Sequence, residues 1–169
     1  HTASPPAPAF WRVGGEGVRA EFGNATASGH PIASQEAIAL PDAGDGETRG
    51  ALSVTVEAPV GPVSFTATHL NWKLHHGWVR EQQVVALCDF ALRRRPKDGF
   101  PPILAGDFNA EPDSAEIRYV TGLQSLGGWS VCFLDAWRRA GGPGPGITWS
   151  NAHPWARGER EPDRRIDYV

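Results

Sequence analysis

Apolar and polar residues alternate through "ALSVTVEA" (51–58), with Leu52, Val54 and Val56 on one face and Ser53, Thr55 and Glu57 on the other. Period-two alternation predicts a strand buried on one side. After "PVGP" the alternation resumes in "VSFTATHL" (63–70), which places Val63, Phe65, Ala67 and His69 on a shared face. Two such runs joined by a short Gly/Pro turn predict an antiparallel hairpin. The period then lengthens. In "VREQQVVALCDFALRRR" (79–95), Val84, Leu87, Cys88, Ala91 and Leu92 recur at helical spacing, and Pro96 ends the run. Its three terminal arginines suit the negative end of the helix dipole, and we read them as a solvated helix end.

Shorter signals fill the remainder. "VRAEFGNA" (18–25) has strand character and "LPDAGDGETRG" (40–50) is a polar loop. "PPILAG" (101–106) is wholly apolar, which predicts a strand in a sheet covered on both faces. "DSAEIRYVTG" (113–122) predicts a short helix opened by a capping box of Asp113 and Glu116. "FLDAWRRAG" (133–141) predicts another, and "GITWSN" (146–151) and "RIDYV" (165–169) predict strand pieces. Residues 1–17 are expected to be a loose Pro/Ala-rich segment. Strands and helices mix without strict alternation, which predicts a layered α/β fold.

The chain's 169 residues suffice for one domain with a real core. Its 20 glycines and 15 prolines favour long loops over a helical bundle. A formal charge of −3 argues against a broad basic surface gripping long nucleic acid, yet leaves room for a local phosphate site. Nucleic acid is therefore a partner that charge does not indicate. Cys88 and Cys132 form no CxxC pair and are expected to be buried free thiols, which favours a reducing, cytoplasmic compartment. No apolar run approaches membrane-spanning length, and "HTASPPAPAF" lacks the basic-then-apolar order of a signal peptide. A monomer is expected.

Three positions could carry chemistry. His69 ends a strand and projects from the edge of an apolar face; a structural histidine is the alternative. In "GDFN", Asp107 follows a buried strand at its carboxyl end, where open α/β sheets place their sites. Asp107 and Asn109, two apart, project to one side of an extended segment. A carboxylate there can bind Mg²⁺ or orient a water, and a carboxamide can hold that water or a phosphate oxygen. An Asx turn is the alternative. Asp167, between Ile166 and Tyr168, needs a partner in an apolar strand: Arg164 or Arg165 for structure, or a histidine for catalysis.

Taken in order, "THLNW", a helix with Arg80 and Gln83, "ILAGDFNAEP", "TWSN" and "DRRIDYV" resemble the endonuclease/exonuclease/phosphatase superfamily. "EFGNA" and "TRGAL" look like segments of its bacterial members. The resemblance covers roughly residues 18–169 and implies a four-layer α/β sandwich, two mixed sheets flanked by helices. It implies hydrolysis of a phosphodiester or phosphomonoester with Mg²⁺ or Mn²⁺. In this scheme His69 contacts the scissile phosphate, and Asp107 activates the water. Asn109 holds phosphate and nucleophile, Asp107 and Asn109 touch the metal, and Asp167 orients a catalytic histidine. Arg49 of "TRGAL", Asn71 of "THLNW", and Trp149 and Asn151 of "TWSN" are the implied substrate contacts.

The family's metal-binding Asn and Glu near its N-terminus and its "SDH" histidine near its C-terminus have no counterpart here. Gln35-Glu36 lies after the place where the metal glutamate belongs, so Glu36 is expected to be a decoy. Residues 18–169 are thus expected to be a partial domain, inactive alone, within an active parent enzyme. One rival is an inactive binding or interaction module of the same fold. Another is a zinc hydrolase using His69, His75 and His76, whose spacing matches no helical HExxH site and whose adjacent histidines point apart on a regular element.

Overall fold

A computed structural model describes residues 2–3, 9–11, 20–154, 156, 158 and 161–169. Its centre is a mixed sheet in the order β5 (Ile32–Ala39), β6 (Gly50–Ala58), β7 (Gly61–His69), β8 (Phe100–Asp107) and β9 (Asp167–Tyr168). β6 and β7 form the expected hairpin, with Val54 opposite Phe65 and Ala51 opposite Thr68. β7 and β8 run parallel and so need a crossover, which α1 (Gly77–Arg93) supplies. Two short antiparallel ladders pair β1 (Thr2–Ala3) with β4 (Thr26–Ala27) and β2 (Ala9–Trp11) with β3 (Ala20–Phe22). The other expected residues of 1–17 lie outside the described ones. So do Val18 and Arg19 of the predicted strand 18–25.

The main core lies between one sheet face and the helices. Val84, Leu87, Cys88 and Phe90 of α1 cluster with Ala51, Leu104, Phe108, Ile117 and Tyr119. By register, Ser53, Ser64, Thr66 and Thr68 share that face with Ala51. Thr66 satisfies Ser53 by donating to its hydroxyl at 3.0 Å, so buried hydroxyls cross the sheet without a lost hydrogen bond. The other face carries Leu52 and Val54, packed with Ile32, Val56 and Phe65. Alternation predicted β6 as half-buried. Instead Ala51 through Val54 are buried on both faces, because small hydroxyl side chains let the helix layer approach.

Several local expectations change. In β8 only Leu104 is buried, because β9 pairs with just Gly106 and Asp107 and the strand's first half has no described neighbour on that side. The capping box is not made. α2 (Ala115–Val120) starts after Ser114, and Glu116 turns inward to accept from Arg80 Nε at 2.8 Å. α3 (Ala136–Ala140) begins as expected, with Asp135 accepting from the Arg138 amide. Cys88 is buried but Cys132 is exposed. Arg94, at the end of α1, reaches Glu36 at 3.2 Å on the outer strand, so that arginine is paired rather than merely solvated.

α1 also fastens the loops at the carboxyl end of the sheet. Arg80 donates to the carbonyls of Asn71 and Lys73, while Gln83 accepts from the Asn71 amide and donates to the Pro41 carbonyl. Arg80 and Glu116 are both buried. Removing one partner strands the other's charge, so Glu116→Ala is expected to cost roughly 3–5 kcal/mol. Urea denaturation measures this, and a loss under about 1 kcal/mol would show that Arg80 finds a substitute acceptor.

Candidate active site

His69 and Asp107 end the neighbouring parallel strands β7 and β8 and are register partners. His69 Nε2 lies 3.4 Å from Asp107 Oδ2. On the other side of β8, Asp167 stands directly opposite Asp107. Opposed residues in a ladder project to one face. Three of the four expected catalytic residues therefore form a row across three strands.

The "GDFN" segment is held from several directions. Gly106 has φ +150°, and a Cβ there would lie 2.0 Å from the Thr68 carbonyl oxygen. Only glycine fits. Asp107 Oδ1 accepts from the Asn109 amide at 2.8 Å, so the Asx turn is present as well as the row. Asn109 adopts φ 47°, a conformation that asparagine tolerates better than most residues. Its Nδ2 donates to the Leu70 carbonyl at 3.0 Å, which orients the carboxamide. Buried Phe108 anchors the turn: its amide donates to Ile166, and its ring meets Tyr168 edge-on at 5.4 Å.

Burial pushes Asp107 up to about 6, aided by the nearby Asp167 charge and opposed by the Asn109 amide, Arg49 and Arg164. Burial likewise lowers His69 to about 4, with Arg49 lowering it further and Glu47 raising it. At neutral pH the site holds a neutral imidazole beside an ionised carboxylate. That carboxylate is poised near neutrality, as proton transfer requires.

The model of the Endonuclease/Exonuclease/phosphatase family matches residues 2–160. The chain belongs to this family. The same α/β fold occurs in the human Nocturnin catalytic domain with bound sulfate anion, at TM-score 0.60 and 19% identity, over 82% of this chain and 46% of that one. A truncated Caenorhabditis elegans TDP2 superposes at TM-score 0.60 and 16% identity, over 82% and 51%. Sphingomyelinase C from Streptomyces griseocarneus does so at TM-score 0.56 and 19% identity, over 84% and 49%. The chain thus spans about half the length of these structures. No curated protein matches it. The five-stranded mixed sheet with its flanking helices is the family's α/β fold.

The other expected site residues in this family member fare differently. Arg49 is buried beside Gly50, where β6 begins next to the His69 end of β7. Asn71 is fully buried: its amide donates to Gln83, and its Oδ1 accepts from the Lys73 amide. It anchors a loop, and its Nδ2 has no hydrogen-bond partner among the described residues. Trp149 pairs through its backbone with Arg164, and Asn151 donates to Asp163 and to the Glu161 carbonyl, so both tie residues 149–151 to residues 161–164. Asp167 is exposed and needs no structural cation; Arg165 pairs with Asp135 and Arg164 with Glu161. The Thr148 hydroxyl accepts from the Ile166 and Asp167 amides and fixes that strand end. Of the tryptophans, Trp72 and Trp78 are exposed, and Trp155 lies outside the described residues. His75 is exposed and His76 buried, yet their rings meet edge-on with centroids 4.2 Å apart, so the expectation that the pair points apart does not hold.

Glu47 is the residue sequence reasoning missed. It is buried and grips Arg49 through Nε at 2.9 Å and Nη2 at 2.6 Å. The signal was available in "GETRG", where a carboxylate two before an arginine in an extended segment shares its side.

Enzymes of this family generally use divalent metals. The side-chain oxygens of Asp107 and Asn109 are hard donors of the kind such ions take. Among the described residues no group of three His, Cys, Asp or Glu could hold a metal by itself.

Two ionisations act on stability with opposite sign. Asp107 has a raised folded pKa, so stability drains away as pH climbs from 3.8 through about 6. His69 has a lowered one, so stability is lost as pH falls from 6.5 through about 4. Asp107→Asn keeps the acceptor for Asn109 and removes the charge. It is expected to raise stability at pH 7 in EDTA by about 1–3 kcal/mol, a gain that vanishes near pH 4. Thermal melts across this range check it; a destabilised variant at pH 7 would show that ionised Asp107 is not strained by burial.

Proposed function

We propose that this chain carries the phosphate-handling part of a divalent-metal-dependent hydrolase acting on a phosphodiester or phosphomonoester. The observation that carries the proposal is the row of His69, Asp107 and Asp167 at one end of the sheet in a member of this family. Asp107, ionised at neutral pH, orients the attacking water and takes its proton. Neutral His69 lies within reach of the same site and stabilises the phosphoryl oxygens by hydrogen bonding. Asn109, whose NH₂ is committed to Leu70, turns its carboxamide oxygen toward water or metal. Arg49 supplies the positive charge for the phosphate. Asp167, exposed on the far side, orients a histidine of the complete site.

Asp107 and Asn109 would hold Mg²⁺ or Mn²⁺. Such an ion supplies charge neutralisation on the phosphate and a more acidic water. A second reading is a binding or interaction module with the same fold.

Two measurements on the 169-residue chain separate them. Inorganic phosphate binding, followed by NMR of His69, is expected to weaken about tenfold or more when EDTA replaces Mg²⁺ or Asp107 becomes Ala. Mg²⁺-dependent hydrolysis of bis-p-nitrophenyl phosphate is expected to be slow and to disappear in Asp107→Ala. Phosphate binding indifferent to metal and to Asp107, with no hydrolysis, would establish the module instead. Robust turnover by this chain would overturn the expectation that it holds only part of the site.

A further inference from the structure

We propose that Glu47 is a positioning residue that fixes the Arg49 guanidinium beside the His69–Asp107 cleft, so that Arg49 meets the phosphoryl oxygens already oriented. The inference rests on the phosphoester reading above and adds to it a residue with no assigned role.

The geometry is specific. One carboxylate oxygen, Oε1, receives both Nε and Nη2 of Arg49. A two-point grip fixes the plane of the guanidinium as well as its place. It also commits the Nε edge. Both side chains are nearly closed to solvent, at 6% and 5% exposure. An ion pair so buried adds little net stability over an apolar pair of the same size, so a role in stability alone accounts poorly for it.

The grip is itself supported. Glu47 Oε2 faces Lys73 Nζ at 3.5 Å, and Lys73 pairs in turn with Asp45. Charges thus alternate Asp45, Lys73, Glu47, Arg49, from the loop before β6 to the loop after β7 and back. Lys73 is placed by the Asn71 carboxamide and by Arg80, so the series is anchored in the core. It ends beside the site. Gly50, next to Arg49, accepts at its carbonyl from Thr68, the residue before His69. Ala51, two residues after Arg49, stands opposite Thr68, and His69 follows Thr68 at the end of β7, so the pair lies at the sheet end that carries His69.

A double-mutant cycle with inorganic phosphate and Mg²⁺ tests the role, with urea denaturation run on every variant. Glu47→Ala is expected to weaken phosphate binding about fivefold to tenfold, and to have no further effect in the Arg49→Ala background. Glu47→Gln keeps the acceptor oxygen and is expected to lose less than about threefold. If Glu47→Ala does not fold, Glu47→Asp withdraws the carboxylate by one methylene while keeping its charge, and the same loss confined to the Arg49 background is expected. Losses that add to those of Arg49→Ala, or an unchanged affinity in a folded variant, would overturn the inference alone. Absence of phosphate binding by the unsubstituted chain would overturn the phosphoester reading and this inference with it.

Discussion

The parallel pairing of β7 with β8 is the constraint on which the site depends. It sets His69 beside Asp107, and it exists only because Gly106 has no Cβ to collide with the Thr68 carbonyl 2.0 Å away. A shift of one residue in that register would turn Asp107 to the helix face and bury it among Leu104 and Phe108. β9 adds Asp167 from the opposite side by antiparallel pairing at the same two positions. A carboxylate row of this kind is unfavourable by itself: burial and the neighbouring charge both raise the Asp107 pKa. The surrounding structure holds it in place through the Asn109 amide, the Leu70 amide on the Asp107 carbonyl, and the Phe108 anchor.

A second level of order comes from α1. Arg80 and Gln83, nearly one turn apart, each bind backbone groups of the loops that rim the site. These are buried polar contacts with defined partners, so the loop positions are specified by directional hydrogen bonds and not by apolar packing alone. Through Lys73 the same loops carry the alternating charges that end at Arg49. Helix, loops and the strands that carry His69 and Asp107 are thereby tied together, although the residues involved are spread from Pro41 to Glu116.

Much of this was legible in the sequence where a local pattern determines a local structure. The hairpin followed from two alternating runs and a Gly/Pro turn. The helix followed from Val84, Leu87, Cys88 and Ala91. His69 was placed on its face by counting in twos. Errors arose where a distant partner outcompeted a local one. Glu116 looked like half of a capping box, but Arg80, thirty-six residues earlier, offered a buried charge to satisfy. Of the structural partners open to Asp167, Arg164 went to Glu161 and Arg165 to Asp135.

The sequence by itself determined the β6–β7 hairpin, α1, the chemistry available at each strand end, and the family resemblance carried by "GDFN", "THL" and "RIDY". These follow from short-range sterics, period and residue type. It did not predict β5, and its strand at 146–151 is a single bridge from Trp149 to Arg164. Only the tertiary structure decided that His69, Asp107 and Asp167 stand in one row, that Glu47 grips Arg49, and that Cys132, Asn151 and Asn71 have other surroundings than their neighbours in sequence suggest. Strand order, register and the competition among buried charges are set by contacts between residues far apart in the chain, and no local pattern encodes which distant partner wins.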